Sequence, residues 1–213
     1  MKPFIKLFLI GLLAVTFAFS ADFVPSSRYF DNNLIAQWHF LKEKKKVRRE
    51  LANIMEVLNE YYSRKPLECR EELAHYIQRV CRENGLPPPL LLAVIFTESS
   101  FREQARSQQG AIGLMQLLPA TGYALSKELE IEWRGHETLY DIRHNIRMGA
   151  YYLKKMVKRF NDIDMALTAY NAGPTRVLKY ARNGKSYSQT YARKVASKCQ
   201  MLMNNYFRIE SIM

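Results

Sequence analysis

The stretch "LPPPLLLAVIFTESSFREQARSQQGAIGLMQLLPATG", Leu86 to Gly122, decides how the chain is read. Proline is excluded from a helix interior but suits its first turn, so Pro87 to Pro89 open a helix. Leu91, Val94, Ile95 and Glu98 follow at i, i+3, i+4 and i+7, which sets a carboxylate on the apolar stripe. A polar segment comes next. Three of the nine glycines then fall within thirteen residues, at Gly110, Gly113 and Gly122. An acid at the edge of a core, followed by a glycine-punctuated loop, is unusual for plain core and for plain loop.

Outward from this stretch the chain reads as a series of helices, with no internal repeat and no alternating pattern long enough for a sheet. The fold class expected is mostly α. Residues 34–62 are helical in pattern, Pro66 breaks the chain, and a second helix runs from Leu67 to Asn84 with Gly85 as its stop. A helix is expected from Pro119 to Glu130. Residues 145–160 place Ile146, Gly149, Ala150, Leu153, Met156, Val157 and Phe160 on one face. Asp164 reads as the N-cap of "MALTAY", which stops at "NAGP". Pro174 starts another helix ending near Gly184, and a last one sets Tyr191, Val195, Leu202 and Tyr206 on a common face.

A chain of 213 residues supports one domain of ordinary size, and 48% hydrophobic content excludes wholesale disorder. Lys and Arg outnumber Asp and Glu by 32 to 20, a balance that favours polyanionic surroundings without choosing among them. Six of the eight residues from Lys42 to Arg49 are basic. That run reads either as a solvated face or as a docking surface for an anionic partner. At the N-terminus, Lys2 and Lys6 precede the uncharged run Leu7 to Phe19 and the small residues Ala18 and Ser20. Residues 1–20 are therefore expected to be a signal peptide, with a mature start near Ala21, or else a retained anchor. Cys69 and Cys81 on one helix would stand about 18 Å apart, beyond the roughly 7 Å a disulfide tolerates. Any bridge would therefore involve Cys199, and burial of Cys69, Cys81 and Cys199 is the reading expected. No zinc-ligand spacing occurs, and neither metal nor cofactor is expected.

Burial of Glu98 would disfavour its charged form and raise its pKa, the condition of a general acid at neutral pH. Spacing alone favours a Glu98 that faces solvent or pairs with Arg102. Gly110 and Gly113 would let backbone approach a ligand closely. Gln116 offers an amide suited to sugar hydroxyl and N-acetyl groups. "AYNAGP" sets a phenol and an amide at a helix stop. Singly, Met115 and Leu117 read as core, Tyr170 as a buried ring with one satisfied hydroxyl, and Asn171 as a turn residue.

Together the segments resemble the soluble-type lytic transglycosylase (SLT) domain, which is related to goose-type lysozyme. The resemblance covers Leu73 to Met203. It runs through "AHYIQRVCRENGLPPPLLLAVIFTESSF", "GAIGLMQLLPATG", "LYDIRHNIRMGAYYL", "AYNAGPTRV" and "YARKV", in the family's order. It implies a lysozyme-like helical domain with a glycan-binding cleft over residues 73–205. A basic helical region, residues 21–72, would precede it, and residues 206–213 would form a tail. It makes Glu98 the catalytic acid, with Ser99 supporting it. Gly113, Leu114, Met115 and Gln116 would line the groove, Tyr170 and Asn171 would sit opposite, and Tyr191 would be a further aromatic near Glu98. Ile142 stands where the family often has proline after the aspartate, Asp141, which puts the shape of that turn in doubt.

The chemistry implied is cleavage of the bond between MurNAc and GlcNAc of peptidoglycan strands, closing a 1,6-anhydro ring on MurNAc. One carboxylate serves as acid and then as base, so Asp141, Asp162 and Asp164 are read as caps and surface residues. A hydrolytic goose-type muramidase and an inactive peptidoglycan-binding module are the alternatives. Such an enzyme would be exported, and periplasmic or associated with the cell envelope. Its basic residues would face the anionic wall, phospholipid head groups or cell-wall proteins rather than nucleic acid.

Overall fold

A computed structural model describes residues 32–183 and 188–208. They form α1 (Asn32–Tyr61), α2 (Leu67–Asn84), α3 (Pro88–Ser99), α4 (Pro119–Glu128), α5 (His136–Tyr140), α6 (Ile142–Phe160), α7 (Ile163–Ala172), α8 (Pro174–Arg182) and α9 (Thr190–Arg208). Among the described residues there is no strand, only the isolated bridges Arg106–Ile112 and Ile112–Leu117. The helical fold class is as expected. The segment proposed as a signal peptide and the side chain of Tyr206 lie outside the described residues.

The chain divides into two units, residues 1–49 and 50–213. In the first, the described helix is solvated: Phe40 and Leu41 are exposed, and Lys42 and Lys44 lie over the rings of Trp38 and Phe40 at 4.8 and 4.4 Å. No helix of the described residues is long and apolar enough to cross a membrane.

The second unit is organised around α3. Its buried residues Leu91 to Ile95 run consecutively, so the helix is enclosed on every side rather than amphipathic. α9 and α2 pack against it, α7 packs against α9, and α6 packs against α2 and α7. Gly85 adopts a left-handed φ of 64° and ends α2, with the Leu86 amide donating to the Cys81 carbonyl at 3.0 Å. The expected face of α6 is buried at Ile146, Gly149, Ala150, Leu153 and Met156. The core also takes in Ile54, Val57 and Leu58 from α1, ahead of the stretch 73–205 expected to carry catalysis. A smaller cluster of Ile112, Leu117, Leu125, Leu139 and Met148 lies under the loop that follows α3.

Three local expectations are corrected. Asp162, not Asp164, caps α7: its carboxylate accepts from the Met165 amide at 2.7 Å, while Asp164 lies in the first turn. The single-turn α5 was absent from the sequence reading, being too short to show a period. Cys69 is exposed, whereas Cys81 is buried and Cys199 half-buried, all three as free thiols. At the turn with Ile142 in place of proline, Asp141 caps α6 by accepting from the His144 amide at 2.7 Å.

Candidate active site

Glu98 is the penultimate residue of α3, where the enclosed helix emerges from the core. Its carboxylate is half-buried and accepts a hydrogen bond from the Tyr191 hydroxyl at 2.5 Å. Burial pushes the Glu98 pKa up to about 7, and the Tyr191 bond offsets part of that rise. The Tyr191 phenol is itself held well above its ordinary range, first by burial and then by the negative charge of Glu98. Tyr191 therefore stays a neutral donor while Glu98 titrates.

The turn after the acid is strained. Ser100 and Phe101 both take left-handed φ values, 50° and 59°, without being glycine. Phe101 is held there by burial and by its rings' neighbours, Tyr61 stacked at 6.1 Å and Phe96 edge-on at 6.0 Å. Arg102, which spacing would pair with Glu98, donates through Nε to the Ser99 carbonyl at 3.0 Å. Glu103 accepts from the Tyr62 hydroxyl and from Lys65 Nζ, tying the loop to the end of α1.

The glycine loop is organised from below by a residue the sequence reading did not single out. Asn145 of α6 is buried, accepts from the Met115 amide at 2.8 Å, and donates to the carbonyls of Ile112 (2.9 Å) and Leu139 (2.8 Å). Its one sequence signal is a polar side chain next to the apolar face of α6. Gly113 has φ 81°, and a Cβ there would stand 2.3 Å from Asn145 Nδ2 and 2.6 Å from the Leu139 carbonyl. The missing side chain thus admits Asn145, while Gly110 opens onto free space. Gly149 admits the Met115 sulfur in the same manner.

The expected site residues separate into two groups. Leu114 and Met115 are buried, as is Ser99, whose hydroxyl donates to the Ile95 carbonyl at 3.0 Å. Gln116 is half-buried, and its amide nitrogen donates to the carbonyls of Ala105 and Gly113 at 3.1 and 2.9 Å. Tyr170 is buried, its hydroxyl donating to the Met115 carbonyl at 2.9 Å. The Glu98 charge adds to burial in raising the Tyr170 pKa. Asn171 and Tyr191 line a groove of about 440 Å³ together with Thr168, Arg176, Tyr180 and Lys194. Among the described residues no three His, Cys, Asp or Glu side chains converge as metal ligands.

A half-buried acid, hydrogen-bonded to a tyrosine that itself lines an open groove, suits proton transfer at that groove. A model of the transglycosylase SLT domain matches residues 75–192. The chain belongs to this family. The SLT domain is 34% identical over 121 residues to a transglycosylase of Enterobacteria phage PRD1, covering 57% of this chain and 40% of that one. It is likewise 34% identical over 121 residues to the soluble lytic murein transglycosylase of Salmonella typhimurium, covering 55% of this chain and 19% of that one. Among solved structures, an inactive Glu-to-Gln mutant of lytic transglycosylase Slt from Pseudomonas aeruginosa is similar at 28% identity and a TM-score of 0.50, over 64% of this chain and 24% of that one. The 70 kDa soluble lytic transglycosylase of Escherichia coli shares the fold at 24% identity and a TM-score of 0.53, with the same coverage of 64% and 24%. The SLT domain here thus spans 40% or less of these curated relatives. Both helices that bring Glu98 and Tyr191 together, α3 and α9, reach into the matched stretch.

Proposed function

We propose that this protein is a peptidoglycan lytic transglycosylase that cleaves the β-1,4 bond between MurNAc and GlcNAc and leaves 1,6-anhydroMurNAc. The observation that carries this reading is Glu98, half-buried with its pKa raised to about 7 and its carboxylate bonded to Tyr191, which lines the groove. A carboxyl poised near neutrality is protonated often enough to act as an acid and ionised often enough to act as a base. Glu98 gives its proton to the glycosidic oxygen as the bond to the anomeric carbon breaks. The substrate's own acetamido group stabilises that carbon. Glu98, now ionised and held by the Tyr191 hydroxyl, takes the proton of the MurNAc C6 hydroxyl as that oxygen closes the anhydro ring. No carboxylate other than Glu98 enters this scheme, and the groove lining contains none. Paired-carboxylate glycosidases place their two groups within about 10 Å of each other.

Support for the other assigned residues comes from where they sit. Asn171 and Tyr191 face the groove, and the half-buried Gln116 keeps its amide oxygen for a ligand. Tyr170, Ser99, Gly113, Leu114 and Met115 would act through the main chain they fix. The names of the relatives favour the transglycosylase over the hydrolytic muramidase and over an inactive binding module. Export to the cell envelope, with the Lys42–Arg49 run facing anionic lipid, wall polymer or a wall protein, accompanies this reading as part of the proposal.

Mass spectrometry of fragments released from purified walls tests it directly. Anhydro products one water lighter than hydrolytic ones are expected. Reducing-end MurNAc alone would replace the transglycosylase by a muramidase.

A further inference from the structure

The groove that Tyr191 lines is electrically one-sided. Arg176 lies in the first turn of α8, and Lys194 stands one turn beyond Tyr191 on the same face of α9. The other groove residues are neutral, and neither cation forms an ion pair among the described residues. Arg176 is exposed and leans over the Tyr180 ring at 5.8 Å. The first turns of α8 and α9 both open onto this groove and add the positive ends of their dipoles. Two exposed cations thus converge in a groove lined by no carboxylate, and a concave site concentrates their field.

We propose that Arg176 and Lys194 form a subsite that takes a carboxylate carried on the glycan, making acidic substitution of the sugar a requirement for tight binding. The inference rests on the glycan reading given above. A muramyl sugar supplies such a group in two ways. In a bare strand its 3-O-lactyl arm ends in a free carboxylate. In a peptide-bearing strand that carboxyl is tied up as an amide, and the peptide carries carboxylates of its own. Arg176 offers a planar fork and Lys194 a point charge, a pair able to hold one carboxylate between them.

Binding to the Glu98→Gln protein, which does not turn substrate over, separates the cases. Three probes are compared: peptide-bearing strands, amidase-treated bare strands, and neutral chitohexaose. Adding Arg176→Gln with Lys194→Gln should weaken at least one of the acidic probes by about tenfold or more. Chitohexaose binding should stay within about twofold, which also shows that the variant is folded. Lys179→Gln, an exposed cation of α8 outside the groove lining, should change none of the three. Loss confined to peptide-bearing strands identifies the stem carboxylates, and loss on bare strands identifies the lactyl arm. Unchanged affinity for both acidic probes overturns the subsite, and so does an equal loss on chitohexaose. If the Glu98→Gln protein binds none of the three, the glycan reading falls first and takes the subsite with it.

Discussion

At Glu98 the interest of the fold and that of the proposed reaction conflict. Its pKa in the folded protein is about 7, against an ordinary value of 4.5. The folded state therefore binds the proton more tightly than the unfolded chain. Stability is undiminished below about pH 4.5, falls as pH rises through 7, and is lowest above it. At about 1.4 kcal/mol per pKa unit, the full cost is about 3 kcal/mol. Glu98→Gln removes that cost while keeping the shape. The variant should melt roughly 5–10 °C above the parent at pH 8 and close to it at pH 4, as read by calorimetry. It should also fail to clear suspensions of purified wall while still sedimenting with them. Tyr191→Phe deletes the bond that holds the Glu98 pKa down. The alkaline limb of its pH–rate profile should therefore move to higher pH, with a lower maximum rate.

The loop between α3 and α4 shows what an element needs that its own sequence does not state. Asn145 satisfies one amide and two carbonyls of other segments, all out of reach of water. Truncation in Asn145→Ala strands those groups, at about 1–3 kcal/mol for each left unmatched. A loss of about 3 kcal/mol or more in urea denaturation is expected, with activity falling in parallel. The helices themselves were legible, because Pro66, Gly85, Pro88, Pro119 and Pro174 punctuate them and α6 carries a clear apolar face. The choice between Asp162 and Asp164 was not, since either can cap and only the extended backbone at Asp162 selects it. In the site, the motifs pointed to Glu98 and its neighbours, and the structure brings Glu98, Tyr170 and Tyr191 together. The contacts of Asn145 and Gly149 with Met115 could not be read, because residues 30 or more positions apart meet only in the folded chain.

For the molecule as a whole, the family match starts at residue 75, but the core starts earlier. Ile54, Val57 and Leu58 are at most 2% exposed in the unit 50–213. Each such side chain contributes about 1.5–3 kcal/mol by burial, a sum comparable with the whole stability of a domain. A fragment of residues 50–213 should show a single cooperative thermal transition by circular dichroism. A fragment of residues 73–213 should show none, or one lowered by tens of degrees. The stretch from residue 50 up to the match is thus part of the folded unit that holds the site.

The bond from Tyr191 to Glu98 spans 93 positions of the chain. At a synthesis rate of about 5–20 residues per second, the acid exists for roughly 5–20 s before its tyrosine does. During that interval α3 lacks α9, the helix that packs against it and carries the bonded hydroxyl. On the proposed function, competence to cut therefore waits on the synthesis of α9 and is withheld from any copy that stops short of it.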